Sequence, residues 1–409
     1  MPLTGCDKTI YFDGLFFYCL FAIKKQAAMD ILQRTQELCN LFSYDKKVKP
    51  EGSKLEIIPF RFTQITGESE IDEIQRALSP TEFCPTTDDH IQENKSFTYT
   101  VFTPSGKEKR DNAIILLHGL NERSWEKYLA WAEYLADETG KPVILFPIAF
   151  HMNRTPSLWY NPRAILPWVT KRKEEVKNIS NSTFANVALS SRLSSNPLRF
   201  YISGRESVYN IWQLVHEIKN GQHPLFKEDT SVNLFAYSIG AMLSQVLLLS
   251  NPDQLFDDSR LFMFCGGSIF SEMDGNARDI MDKEAFDRLR HYFRHDFLEN
   301  RTSAGLLKSD FLERAFKAMI RKDVLQDYRE SFFQRACNRI RAISLKKDIV
   351  MPTNGIIEAL GKVSGKILEE LDFPFKYSHQ IPFPLHSKTD SDSINRAFNS
   401  VFYKAAAFL

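Results

Sequence analysis

The sequence predicts an α/β protein organised around a mostly parallel sheet. From residue 113 onward, short and fully apolar runs alternate with helix-length segments, and the runs lack the in-and-out polarity of a sheet with one wet face. The composition agrees: 43% of the 409 residues are hydrophobic and 25% charged, as in an ordinary globular chain and unlike a disordered or fibrous one.

Taken in order, residues 25–43 place Ala28, Ile31, Leu32, Thr35, Leu38, Cys39 and Phe42 at helical spacing. They read as an amphipathic helix within an N-terminal extension, residues 1–54. Beyond a Lys-rich stretch at 46–49, residues 55–62 read as a strand, and 96–103 as a second that ends at the turn Pro104-Ser105-Gly106. Then the alternation begins: a strand at 113–117, a helix at 124–138, an apolar run at 142–148, a helix near 208–219, a strand at 232–237, a helix at 239–249 and a strand at 261–265. A strand at 340–345, a helix near 354–362, a strand at 367–377 and a helix from Asp392 complete it. One sheet therefore spans the chain, interrupted twice. Residues 151–204 are rich in Ser, Asn and Pro. Residues 271–338 hold 13 basic and 13 acidic residues, with Phe293, Phe297, Leu312, Phe316, Ile320 and Leu325 between them, and read as a helical insertion.

Charge and cysteine usage exclude several classes. With 52 basic and 51 acidic residues the formal charge is +1, and no basic face stands out, so nucleic acid is not the expected partner. The six cysteines, Cys6, Cys19, Cys39, Cys84, Cys265 and Cys337, form no C-x-x-C pair, which speaks against a zinc site or a disulfide scaffold and for thiols in a reducing, cytoplasmic compartment. The longest apolar run, 14–23, is too short to span a bilayer. Sequons at Asn94, Asn153, Asn178, Asn181 and Asn300 matter only in a secretory setting. His90 beside Asp88 and Asp89 has no second ligand group at metal-site spacing, and His291 and His295 lack the Glu of H-E-x-x-H. His151 reads as a buried, satisfied histidine. Gly266-Gly267 follows a strand without a G-x-G-x-x-G, and no metal or cofactor is expected.

The chemistry concentrates at Asn233-Leu234-Phe235-Ala236-Tyr237-Ser238-Ile239-Gly240-Ala241, where an apolar strand runs into Ser238 and straight out into a helix. This resembles the nucleophile elbow of the α/β-hydrolase superfamily, G-x-S-x-G, with Ala236 in place of the first Gly. So tight a turn needs small residues two places either side of the serine. The segment Ile114-Ile115-Leu116-Leu117-His118-Gly119-Leu120-Asn121 is similar to that superfamily's strand ending in a His-Gly loop, and Lys346-Lys347-Asp348-Ile349-Val350-Met351-Pro352 to its acid-bearing loop.

The resemblance covers residues 55–409 and implies an α/β-hydrolase catalytic domain, here of a bacterial branch, with a helical lid at 267–338. It implies Ser238 as nucleophile, Asp348 as acid and His379 as base, in that chain order. His386 is the alternative base; Glu272 and Asp274, one strand earlier, are alternative acids. The backbone N–H groups of Ile239 and of Leu120 or Asn121 would form the oxyanion hole, and His118 would orient its loop. The implied activity is cleavage of a carboxylic ester or related acyl compound through an acyl-enzyme. The 33 Phe residues leave room for an apolar acyl or alkyl pocket, so the expected partner is a small-molecule acyl substrate. A scaffold that has lost catalysis and binds a ligand or protein partner is the contrasting reading, motivated by Ala236 and by the two candidate histidines.

Overall fold

The computed structural model describes residues 30–65, 70–78, 87–106, 108–177, 179, 181–299, 310–384 and 390–409. Strands β1 (Leu55–Thr63), β2 (Ser96–Pro104), β3 (Arg110–Leu117), β4 (Val143–Leu145), β5 (Phe226–Tyr237), β6 (Leu261–Phe264), β7 (Ile340–Leu345) and β8 (Leu368–Leu371) make one sheet, ordered β1-β2-β4-β3-β5-β6-β7-β8. β2 pairs antiparallel with β1 and β4, and all other pairings are parallel. With helices over both faces, this is an α/β-hydrolase fold.

The continuous apolar runs follow from two cores on one sheet. Along β3, Ala113, Ile115 and Leu117 enter one core, and Ile114 and Leu116 the other; along β5, Leu234 and Ala236 face the first, Phe235 and Tyr237 the second. Helices Leu198–Lys219 and Ile239–Ser250 cover the first core, and Glu126–Thr139 and Ser391–Phe408 the second. Each Leu or Phe so buried contributes roughly 1.5–3 kcal/mol. Helix Ile31–Leu41 packs on the second core, tied by Ile31 N–H to Asn395 Oδ1 at 3.0 Å and by Arg34 to Glu133 at 2.6 Å. Among the described residues no helix is long and apolar enough to cross a membrane.

Several boundaries differ from expectation. β4 ends at Leu145, just before Phe146-Pro147, because proline cannot donate to a ladder. The strand expected over 367–377 stops at Leu371, ahead of Asp372 and the Phe373-Pro374 pair. The helix expected near 208–219 begins ten residues earlier, at Leu198, and the stretch 151–204 also holds helices Pro162–Glu175 and Val187–Ser195.

Between β6 and β7 lie helices Lys283–Arg294, Phe311–Ala318 and Gln326–Ala336. Phe293, Phe297, Leu312, Phe316 and Ile320 join the first core, whereas Leu325 starts the last helix with φ 48° and is exposed. The fully buried Arg329 donates to the carbonyls of Ala318, Lys322 and Ala359, filling acceptors that the tight turns leave open. Arg172 bonds Asp282 and, at 2.8 Å, Glu284, so the two interruptions of the sheet hold each other.

Burial keeps three histidines neutral. Desolvation pushes His151 down to about 4 and His223 to about 4, and holds His118 well below its ordinary value of 6.5. Below pH 6.5 the unfolded chain binds protons that the folded one refuses. Stability is therefore full above that value and falls as pH drops toward 4, by at most about 3 kcal/mol for each fully shifted group. Urea unfolding at pH 7 and 4.5 should show the loss, and His223→Gln should make the pH dependence shallower by about one proton. An unchanged slope in that variant would contradict the assignment.

Candidate active site

Parallel strands deliver the candidate residues to one edge of the sheet, at their C-terminal ends. β5 ends at Tyr237, Ser238 follows with φ 56° and ψ −123°, and helix Ile239–Ser250 starts at once. So strained a backbone persists only where neighbours hold it. Ser238 N–H donates to Phe264 O of β6 at 3.3 Å, and its own carbonyl accepts from Ala241 N–H at 3.0 Å. A Cβ on Gly240 would lie 2.8 Å from the carbonyl oxygens of Leu117 and His118; one on Gly266 would lie 2.5 Å from Ser238 O and 2.7 Å from Ala241 Cβ. Ala236 is fully buried within β5, so a methyl is accommodated there.

Ser238 Oγ lies 2.7 Å from His379 Nε2, and His379 Nδ1 lies 2.7 Å from Asp348 Oδ2. All three are buried, at 3–4% exposure. A carboxylate facing Nδ1 assigns the proton to that nitrogen and leaves Nε2 bare toward the serine hydroxyl. The other carboxylate oxygen of Asp348 accepts from the N–H groups of Val350 and Met351, each at 2.9 Å, which fixes its rotation. Tyr237 donates its hydroxyl to His379 O and stacks along the imidazole with ring centroids 5.6 Å apart. Burial, with Cys265 and Asp348 nearby, holds the Tyr237 phenol protonated by raising it well above its ordinary value.

Beside the serine, a Cβ on Gly119 would be only 3.4 Å from Ser238 Cβ. The N–H groups of Leu120, Asn121 and Ile239 meet no acceptor among the described residues, and that of Ile239 opens a helix. Asn121, at φ 62°, is pinned by its side-chain amide to the carbonyls of Ala185 and Asp279, both at 2.8 Å. His118 points away from the serine: its Nε2 accepts from Ile148 N–H at 3.0 Å, leaving Nδ1 to donate to Gly119 O at 2.8 Å.

A polar chain not anticipated from sequence joins the two loops flanking the serine. Gly119 N–H donates to Tyr128 Oη at 3.0 Å, and Tyr128 to Glu122 at 3.1 Å. Lys127 Nζ then bridges Glu122 at 2.5 Å and Gln380 O at 3.0 Å, above the Tyr237 ring. The part played by Gly266 is likewise non-local: a glycine pair after a strand is informative only once the elbow is known to press on it.

His386 lies outside the described residues. Glu272 and Asp274 are exposed, bonded to Ser271 Oγ and Asn276 N–H, and the structure brings neither to His379. His90 bonds Thr87 and Asp89, and His291 and His295 lie ring against ring on their helix; among the described residues no cluster of His, Cys, Asp or Glu could hold a metal. His151 donates to Ala149 O, but its Nε2 is buried without a partner, so it is only half satisfied.

A cavity of about 510 Å³ opens onto Ser238 and His379, within the usual range for small-molecule sites. A second pocket of about 30 Å³ also reaches Ser238, lined in part by Phe270, Met273, Ile280, Met281, Phe286 and Leu289 of the stretch after β6.

The chain is similar to a novel thermostable esterase from Pseudomonas putida ECU1011, at 9% identity over 97% of this chain and 96% of that one, TM-score 0.42. It is also similar to a hyperthermophilic esterase from the archaeon Pyrobaculum calidifontis, at 11% identity over 99% and 100%, TM-score 0.39. A putative dipeptidyl aminopeptidase IV from Bacteroides ovatus ATCC 8483 matches at 10% identity over 87% of this chain and 37% of that one, TM-score 0.44. No curated protein matches. A family model described as "Family of unknown function (DUF6051)" matches residues 29–409, and the chain belongs to that family.

Proposed function

We propose that the protein is a serine hydrolase that cleaves a carboxylic ester or a related acyl compound without metal or cofactor. The observation behind this reading is the unbroken path from Ser238 Oγ through His379 to Asp348, two contacts of 2.7 Å each, at a strained strand-to-helix bend. His379 Nε2 takes the hydroxyl proton as Ser238 attacks the carbonyl carbon. Asp348 holds the imidazolium that results. The developing oxyanion is received by the N–H of Ile239 and that of Leu120 or Asn121, donors that meet no acceptor among the described residues. His379 returns the proton to the leaving group, and water attacks the acyl-enzyme by the same route in reverse.

The insertion at 267–338 acts as the lid in this reading, supported by its apolar wall beside the serine. Six cysteines without a C-x-x-C pair support a cytoplasmic setting. A fluorophosphonate probe should label the wild-type protein and fail to label Ser238→Ala. A folded wild-type protein that stays unlabelled would favour the inactive scaffold. Loss of labelling in His386→Ala but not His379→Ala would move the base.

A further inference from the structure

We propose that the ester taken by this site joins a two- or three-carbon acyl group to a bulky polar alcohol, an inference that rests on the serine hydrolase reading above. Collapse of the tetrahedral intermediate decides where each half lies. The bond from the carbonyl carbon to the alcohol oxygen breaks as that oxygen receives its proton from His379 Nε2, so the alcohol half occupies the imidazole side of Ser238. The acyl half, bonded to Ser238 Oγ, occupies the other side until water releases it as a short carboxylic acid.

Two cavities meet at Ser238, and they are unequal. The one that includes His379 measures about 510 Å³, with Arg123, Glu126, Asp279 and Gln380 on its wall beside Trp131 and Phe383. That is space for a large leaving group with many hydrogen-bonding atoms. The other cavity, which among the described residues includes no imidazole, measures about 30 Å³ and is lined by Ile239, Met273, Phe286 and Met351, with Leu120 and Ile280 shared between the two. A single water needs roughly 10–15 Å³ on this scale, so two or three groups of carbon size fill it.

Phe200 sets the limit. A second apolar cavity, about 60 Å³, lies beyond it, and Leu120, Phe200 and Ile239 line both spaces. The Phe200 ring is held against Phe270 and Phe293, with centroids 5.6 Å away in each case, so it forms a packed partition. Removing the ring would add the rear cavity to the front one and admit longer chains.

The test holds one half of the ester constant while the other varies. On 4-nitrophenyl acetate, butyrate and hexanoate, kcat/KM should fall by about tenfold or more from acetate to hexanoate, and Phe200→Ala should largely erase that ratio. Met273→Ala opens the same pocket from its opposite wall and serves if Phe200→Ala does not fold. With acetyl fixed, a monoacetylated methyl glucoside should be preferred over 2-methoxyethyl acetate, whose alcohol is small. Hexanoate turned over as fast as acetate, with Ser238→Ala inert, overturns the acyl limit and leaves the serine hydrolase reading standing. A preference for the small acetate overturns the alcohol half. No turnover of any ester, together with no fluorophosphonate labelling, overturns both.

Discussion

Asp348→Asn is expected to fold like the parent and to lose about 10⁴-fold in kcat on 4-nitrophenyl acetate, with little change in KM. The reason lies in what each oxygen of Asp348 already does. One accepts from Val350 and Met351 N–H at 2.9 Å apiece, and the other faces His379 Nδ1 at 2.7 Å. An asparagine keeps its carbonyl toward the two backbone donors and must then present its amide N–H₂ to Nδ1. That drives the imidazole proton to Nε2, the nitrogen that has to be bare to take the serine proton. Flipping the amide restores the tautomer only by leaving two buried N–H groups without an acceptor, at about 1–3 kcal/mol each. At 4% exposure, water cannot rescue either arrangement. Steady-state rates and a urea midpoint for the same preparation check the expectation. A loss below tenfold in a stable variant would remove Asp348 from the proposed role and return attention to Glu272 and Asp274.

How much was legible in the sequence depended on whether the signal was local. Apolar runs of five or six residues separated by helices announced the sheet, because residues buried on both faces leave no polar phase to read. The bend at Ser238 was legible for a similar reason: small residues at 236 and 240 flank a single polar residue between strand and helix. Asp348 and His379 were singled out by their order and by their separation of 31 positions, room for one helix and one strand, and the described loops bring them within hydrogen-bond distance.

Non-local requirements were not legible. Lys127 reads as an ordinary helix-surface lysine, yet it bridges Glu122 and Gln380, which is 253 residues away. The first ten residues of the helix Leu198–Lys219 gave no helical signal, because its buried Arg199, Arg205 and Glu206 are polar and only tertiary partners sustain them there. Arg199 bonds the buried Asp88 at 3.0 Å, and Glu206 accepts from Gln64, Gln75 and Asn94. Without those partners the same side chains would belong at the surface.

Gly266→Ala should be severely damaging for a single methyl, because the residue presses on the proposed nucleophile although it lies outside the elbow. The added Cβ would lie 2.5 Å from Ser238 O, 2.8 Å from Ser238 N and 2.7 Å from Ala241 Cβ. Two of these are backbone atoms of the residue whose strained φ and ψ aim the hydroxyl, so no flexible side chain can yield. Either β6 moves from β5, breaking the Ser238 N–H bond to Phe264 O, or the bend itself shifts. The first route costs about 3 kcal/mol or more of stability; the second displaces Oγ, and a shift near 1 Å is worth about 100-fold in rate. Ala236→Gly is the matched control. It removes a methyl on the opposite flank of the serine, and the expected cost is only about 1 kcal/mol with labelling preserved. Urea midpoints and fluorophosphonate labelling rates for both variants separate the cases. If Gly266→Ala matched wild type in both measurements, the contact with β6 would not be what holds Ser238 in its strained conformation, and the hold would have to come from Gly240 packed against Leu117 and His118.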